Sequence, residues 1–218
     1  MAVCQMIASD MAEHLDPTQY GNRKRTGIQH YLIGMLHRFL SETDDNSRAD
    51  AKAVLATFID WQEAYSRQSH ILGVKSFIAN GVRPSLIPLI TSYFQSREMR
   101  IKCHNKFSQS RQMPGSGAMG SNLGNWEFDS QTNHNADCIP EEDRFKFVDD
   151  LSLLEIVNLV NIGIASHNFR WQVPNDIPLH GQIIPANHLK SQGYIEKISE
   201  WTKNQEMVIS EKKPNLWS

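Results

Sequence analysis

Several of the features that place a chain in a functional class are missing from this sequence of 218 residues. No stretch reaches the ~18 to 20 uninterrupted apolar residues needed to cross a bilayer, which argues against a membrane-spanning role. The first fifteen residues have no basic n-region and are interrupted by Asp10 and Glu13, so they do not read as a signal peptide. Only three cysteines occur, Cys4, Cys103 and Cys138, odd in number and too widely spaced for a Cys-x-x-Cys zinc pattern. A reducing, intracellular compartment fits that usage, with cytoplasm and nucleus both open. No Gly-x-x-x-x-Gly-Lys-Ser/Thr loop, Ser-His-Asp arrangement or internal repeat is discernible. An excess of one charge is also lacking: 22 basic and 24 acidic residues leave a formal net charge of -2. Contact with nucleic acid would therefore depend on local basic patches.

What is present reads as a soluble, globular chain, 40% hydrophobic and 21% charged, long enough for a real core and for roughly one to two domains. Ile28, Tyr31, Leu32, Met35, Leu36, Phe39 and Leu40 recur at helical spacing and predict a packed helix over 27–40, behind the basic cluster Arg23-Lys24-Arg25. The polar stretch 41–50 reads as a loop. Residues 54–59 read as a buried strand that delivers Asp60 to a loop. Two helical patterns follow, one through Ile71 to Ile78 stopping near Asn80-Gly81, the other after Pro84 through Phe94. Residues 99–113 look like a hairpin. Glycines 115, 117, 120 and 124 permit close backbone approach and lead into a helix around 126–133. Strands are expected over 144–148 and 151–156, an irregular proline-containing excursion over 172–192, and a last helix over 194–203. The sum is an α+β fold, a layer of helices on an antiparallel sheet.

The chemistry concentrates in Phe147-Val148-Asp149-Asp150-Leu151. Adjacent carboxylates repel each other and resist burial unless a cation neutralises them, so Asp-Asp at the tip of a strand-turn-strand suggests a metal site. Asp60 also ends a predicted strand, and neighbouring strands would bring the two ends together. Magnesium needs only two or three carboxylates besides water and substrate phosphates. On spacing alone, a helix cap at Asp60 and a plain hairpin turn at Asp149-Asp150 stay open as the alternative. His134 near Asp137 and Cys138 lacks the second spaced pair that a zinc site needs. His70 and the tryptophans 61, 126, 171 and 201 read as packing before ligands or base-stacking platforms.

Phe58-Ile59-Asp60-Trp61-Gln62-Glu63-Ala64-Tyr65 resembles the first palm motif of reverse transcriptases, an aspartate followed five positions later by an aromatic. Phe147-Val148-Asp149-Asp150 is similar to the Tyr/Phe-x-Asp-Asp motif of the same enzymes, and the glycine-rich 114–124 lies where their second palm motif belongs. Leu15-Asp16-Pro17-Thr18-Gln19-Tyr20-Gly21-Asn22-Arg23-Lys24 is similar to the stretch near the fingers-palm junction. Residues 198–213 resemble the fourth palm motif, closed by a lysine. The resemblance, to a retrotransposon-type reverse transcriptase, spans roughly residues 15–213.

It implies a right-hand polymerase palm over 51–218 and a remnant of fingers and fingers-palm junction over 1–50, with fingers incomplete and thumb absent. It implies an RNA-directed DNA polymerase in which Asp60, Asp149 and Asp150 hold two Mg²⁺ ions. Lys213, or its neighbour Lys212, would be the proton donor to pyrophosphate. Tyr65 would stand under the sugar as a gate against a ribose 2′-hydroxyl, and Gly117, Met119 and Gly120 would belong to the nucleotide site. The partners implied are an RNA template, a DNA primer and deoxynucleoside triphosphates, together with the missing fingers and thumb segments. Ala118 and Met119 depart from the family's proline and glutamine, and methionine has no amide with which to position a nucleotide. Ser210 stands where the fourth motif has asparagine. These departures keep a second function in view, an inactive retroelement remnant that at most binds nucleic acid or another chain, and a two-metal phosphodiesterase is a more distant third.

Overall fold

The computed structural model describes residues 2–43, 52–95, 97–113, 115–117, 120–158 and 190–210. Its helices are α1 (Ala2–Met11), α2 (Ile28–Thr43), α3 (His70–Ala79), α4 (Ile87–Phe94), α5 (Asn122–Thr132) and α6 (Lys190–Gln205). The central sheet has three antiparallel strands, β1 (Lys52–Ile59), β7 (Asp150–Asn158) and β6 (Arg144–Phe147), in the order β1-β7-β6. Four two-residue strands, β2 (Glu98–Met99), β3 (Lys102–Cys103), β4 (Lys106–Phe107) and β5 (Arg111–Gln112), form one interrupted hairpin in which β2 pairs β5 and β3 pairs β4. The fold is mixed α+β, as the alternation of patterns predicts. The expected excursion over 172–192 falls almost wholly outside the described residues.

Side chains alternate across the sheet, and each face has its own cover. Leu151 and Leu153 of β7 and Ile59 of β1 join Phe128 of α5 and Ile198 of α6 in one core. On the opposite face Leu154 and Phe145 meet Tyr31 of α2, whose hydroxyl lies 2.5 Å from Ser152 Oγ. A third core, with Ile7, Met11, Phe77, Ile90, Phe94 and Leu123, joins α1, α3, α4 and α5 away from the sheet. Glu155 of β7 accepts the backbone N–H groups of Lys190 and Ser191 at 2.6 and 2.9 Å, placing a carboxylate at the positive end of α6.

Two expectations about packing are corrected. Of the α2 stripe only Tyr31 is buried, and Leu32, Leu36, Phe39 and Leu40 lie exposed, because the helix touches the sheet along a line narrower than its apolar face. Strand β1 is an edge strand with mostly half-exposed side chains, so it is covered less than its apolar run predicts. The start of the chain, which carried no elemental reading, is the helix α1.

A buried polar frame ties the segment before α2 to the sheet. Arg144 Nε and Lys146 Nζ approach Asp16 Oδ2 at 3.2 and 3.4 Å, and Lys146 Nζ also donates to the carbonyls of Thr132 and Asn133 at 2.9 and 2.8 Å. Burial alone would raise the Asp16 pKa. Lys146, the Thr18 hydrogen bonds and Arg144 outweigh it and hold the carboxyl below its ordinary range. Tyr20 N–H donates to the Lys146 carbonyl at 2.8 Å and Lys146 N–H to that of Thr18 at 3.0 Å, so residues 18–20 lie parallel along the free edge of β6.

Candidate functional site

The β1-β7 register sets Ile59 opposite Leu151, which carries Asp60 to the same end of the sheet as Asp150. Phe147 pairs with Asp150, leaving Val148 and Asp149 as a two-residue turn between β6 and β7. Val148 has φ 56, the left-handed region that β-branched residues avoid, at a cost of about 1–3 kcal/mol. Its neighbours hold it there. Val148 N–H donates to Gln19 Oε1 at 3.0 Å, and the same oxygen accepts Gly21 N–H at 3.0 Å. A Cβ at Gly21 would come within 2.5 Å of Val148 N and Cγ2, so the backbone of residues 19–21 lies directly against the turn.

The three carboxylates feel one another. Asp150 is exposed along one side, yet partial desolvation and then the negative charges of Asp149 and Asp60 push its pKa up. Among the described residues, no group of three or more His, Cys, Asp or Glu side chains is placed so that it could hold a metal ion.

Two further segments meet this end of the sheet. Residues 207–210 return antiparallel to 60–62: Ser210 N–H donates to the Asp60 carbonyl and Gln62 N–H to the Val208 carbonyl, each at 2.8 Å. Residues 115–117 seat on the turn after Asp60, with Ser116 N–H on the Gln68 carbonyl at 2.8 Å and Gly117 N–H on the Tyr65 carbonyl at 2.6 Å. A Cβ at Gly117 would overlap Gln68 Oε1 and reach Tyr65 Cδ1 at 3.1 Å, so any side chain here must displace the Gln68 amide. Tyr65 itself stacks on Phe128, with ring centroids 4.9 Å apart. Burial, then Asp149 and Asp129, push its phenol up to about 12, so it stays neutral near pH 7. Gly120 (φ 81) opens the turn before α5, which Ser121 caps by accepting Gly124 N–H at 3.1 Å. Met119, Lys212 and Lys213 lie outside the described residues.

Other sequence candidates resolve as packing or surface. His70 stacks on Phe94 at 4.8 Å, and Trp61 is buried against Trp201. His134 pairs with Asp137 at 2.7 Å on the surface. The guanidinium of Arg23 bonds the Asp16 and Pro17 carbonyls at 3.2 and 3.3 Å, so that member of the basic cluster holds structure.

Sequence reasoning assigned no role to Gln19 as the clamp on Val148, nor to the buried acids Glu127 and Asp129 of α5. Burial pushes Glu127 up to about 8 against the pull of Arg97. It pushes Asp129 up to about 7 against an Asn22 hydrogen bond and the charges of Lys146 and Arg23. A helix over 126–133 was legible, but the side of it that faces a carboxyl-hostile interior was not.

No protein-family model matches this chain, and no curated protein matches it.

Proposed function

We propose that this chain is the palm domain of a reverse transcriptase of a mobile element, an RNA-directed DNA polymerase that extends a DNA primer on an RNA template. The observation that carries the reading is the meeting at one sheet end of segments far apart in sequence: 19–21, 60–65, 115–117, 147–150 and 207–210. These are the stretches that bear the family resemblance, and a set of unrelated turns has no reason to converge.

In this reading Asp60 and Asp149 hold two Mg²⁺ ions, with Asp150 in support. When bound there, such ions would supply charge neutralisation to an attacking primer hydroxyl and a leaving pyrophosphate. Tyr65, neutral and braced on Phe128, presents a flat wall under the sugar and excludes a 2′-hydroxyl. Gly117 and Gly120 let the backbone come close to the nucleotide, Met119 leaves its base side without an amide, and Lys213 donates a proton to pyrophosphate. Loss of one orienting contact is worth ~100-fold in rate, so a slow enzyme is expected.

Primer extension on an RNA template tests this directly. Deoxynucleotide incorporation that needs Mg²⁺ and vanishes in Asp149→Asn supports the polymerase. Mg²⁺ should also raise the melting temperature of the wild type and leave that of an Asp60→Asn/Asp149→Asn variant unmoved. Incorporation that survives Asp149→Asn, or RNA cleavage without synthesis, overturns the assignment. Binding of nucleic acid with neither incorporation nor a Mg²⁺ response identifies the inactive remnant.

A further inference from the structure

A cavity of about 480 Å³ opens between α3, α4 and the root of the β2-β5 hairpin, and Asp60, Asp149 and Asp150 are not among the residues that line it. Its size suits a small organic molecule. Ile71 and Val74 of α3, Phe94 at the end of α4 and Met113 make its walls apolar. The Phe94 ring is fixed by stacking on His70, whose Nε2 lies 2.9 Å from the Ser116 carbonyl and donates to it. That pair gives the cavity one flat, rigid wall.

Its charged groups are of one sign. Lys75 and Arg97 line the cavity, and among the described residues no acidic one does. Arg97 stands over the Tyr93 ring at 5.2 Å, and its buried Nη1 has no hydrogen-bond partner, so the accessible edge of its guanidinium is what the cavity can offer an anion. The acids nearby are engaged elsewhere or lie outside the cavity lining. Glu98 accepts from Ser110 Oγ on the hairpin. Glu127 is turned to the α3-α5 interface, where its Oε1 would lie 2.8 Å from a Cβ at Gly73, and burial raises its pKa against the pull of Arg97.

We propose that this cavity binds a small organic monoanion with a flat apolar body, an aryl carboxylate in chemical class, its carboxylate on Arg97 and Lys75 and its ring against Phe94 and Val74. The apolar walls bind the body, and the positive charges of Arg97 and Lys75 select an anion. This site is independent of the polymerase reading and stands whether or not the carboxylates bind metal.

Isothermal titration of the full chain with 2-naphthoate and with its neutral analogue 2-naphthylmethanol tests it. Saturable binding of naphthoate, about tenfold tighter than that of the alcohol, is expected. Arg97→Gln should erase the preference and keep the alcohol's affinity, and Val74→Trp, with unchanged circular dichroism, should abolish both. Absence of saturable binding, equal affinity for acid and alcohol, or a preference that persists in Arg97→Gln overturns the proposal. If Val74→Trp fails to fold, the Arg97→Gln comparison decides alone.

Discussion

Glu127 and Asp129 stand two residues apart on α5 and face different surroundings: Glu127 presses toward Gly73 of α3, whereas Asp129 receives Asn22 Nδ2 at 3.2 Å. Both Glu127 oxygens and Asp129 Oδ2 are buried without a partner. For an acid, burial favours the protonated form, so the folded chain retains protons that the unfolded chain releases. For Glu127 the retention runs from the ordinary 4.5 up to about 8, and for Asp129 from 3.8 up to about 7. Where the folded state binds more protons, stability falls as pH rises. The contribution of these groups is therefore whole below about pH 4 and lost by the time the pH passes about 8. Glu127→Gln keeps the shape and removes the charge. Urea unfolding should find it nearly equal to the wild type at about pH 5 and more stable by on the order of a few kcal/mol at about pH 9. An unchanged difference across that range would mean that Glu127 is ionised and paired in the folded chain. The sequence offered no sign of this behaviour, because burial, not a neighbouring residue type, produces it.

At the scale of elements, the turn that carries Asp149 is held by a segment more than a hundred residues earlier. Gln19 is buried, and its single oxygen serves two N–H groups, those of Gly21 and Val148. Removing it leaves both donors unpaired in the interior, which costs about 2–3 kcal/mol. A methyl group on Gly21 intrudes on the backbone nitrogen of Val148, which has no flexible end to swing away, and overpacking of that kind costs about 1–3 kcal/mol. Gln19→Ala and Gly21→Ala should therefore each lower the denaturation midpoint, and hydrogen exchange should rise at Val148 well before it rises at Leu153 in the same sheet. Uniform loss of protection across β6 and β7 would show that the clamp supports the whole sheet rather than the turn. The strands, the end of α3 at Asn80 and the α5 region were legible because periodicity and turn residues mark them locally. The 18–20 edge pairing was not, since three extended residues carry no periodic signal. The left-handed conformation of Val148 was also hidden, because valine argues against it and the neighbours impose it.

For the whole molecule, the apolar stripe of α2 is the largest departure from what spacing predicts. Helical periodicity tells that a face is apolar; it does not tell how wide the covering surface is. Here the sheet meets Tyr31 and Met35, and the other apolar positions stay out: Leu32 is 55%, Leu36 56% and Leu40 49% exposed. Phe58 on the edge strand β1 is 69% exposed as well. Surface of this kind drives self-association unless something covers it. Leu32→Glu with Leu36→Lys replaces two exposed apolar side chains by an i,i+4 pair in the favourable order. Light scattering should report a higher concentration at the onset of aggregation, and folding stability should change by less than about 1 kcal/mol, as for other substitutions of exposed residues. A loss of several kcal/mol instead would mean that these leucines are packed in the folded chain. The edge strand gives the contrast: Phe58→Lys, beside the edge of β1 that no described strand pairs, should suppress association through strand pairing without touching α2. If solubility rises with the α2 pair and not with Phe58→Lys, the helix face is the sticky surface; the reverse result assigns association to the open edge of the sheet.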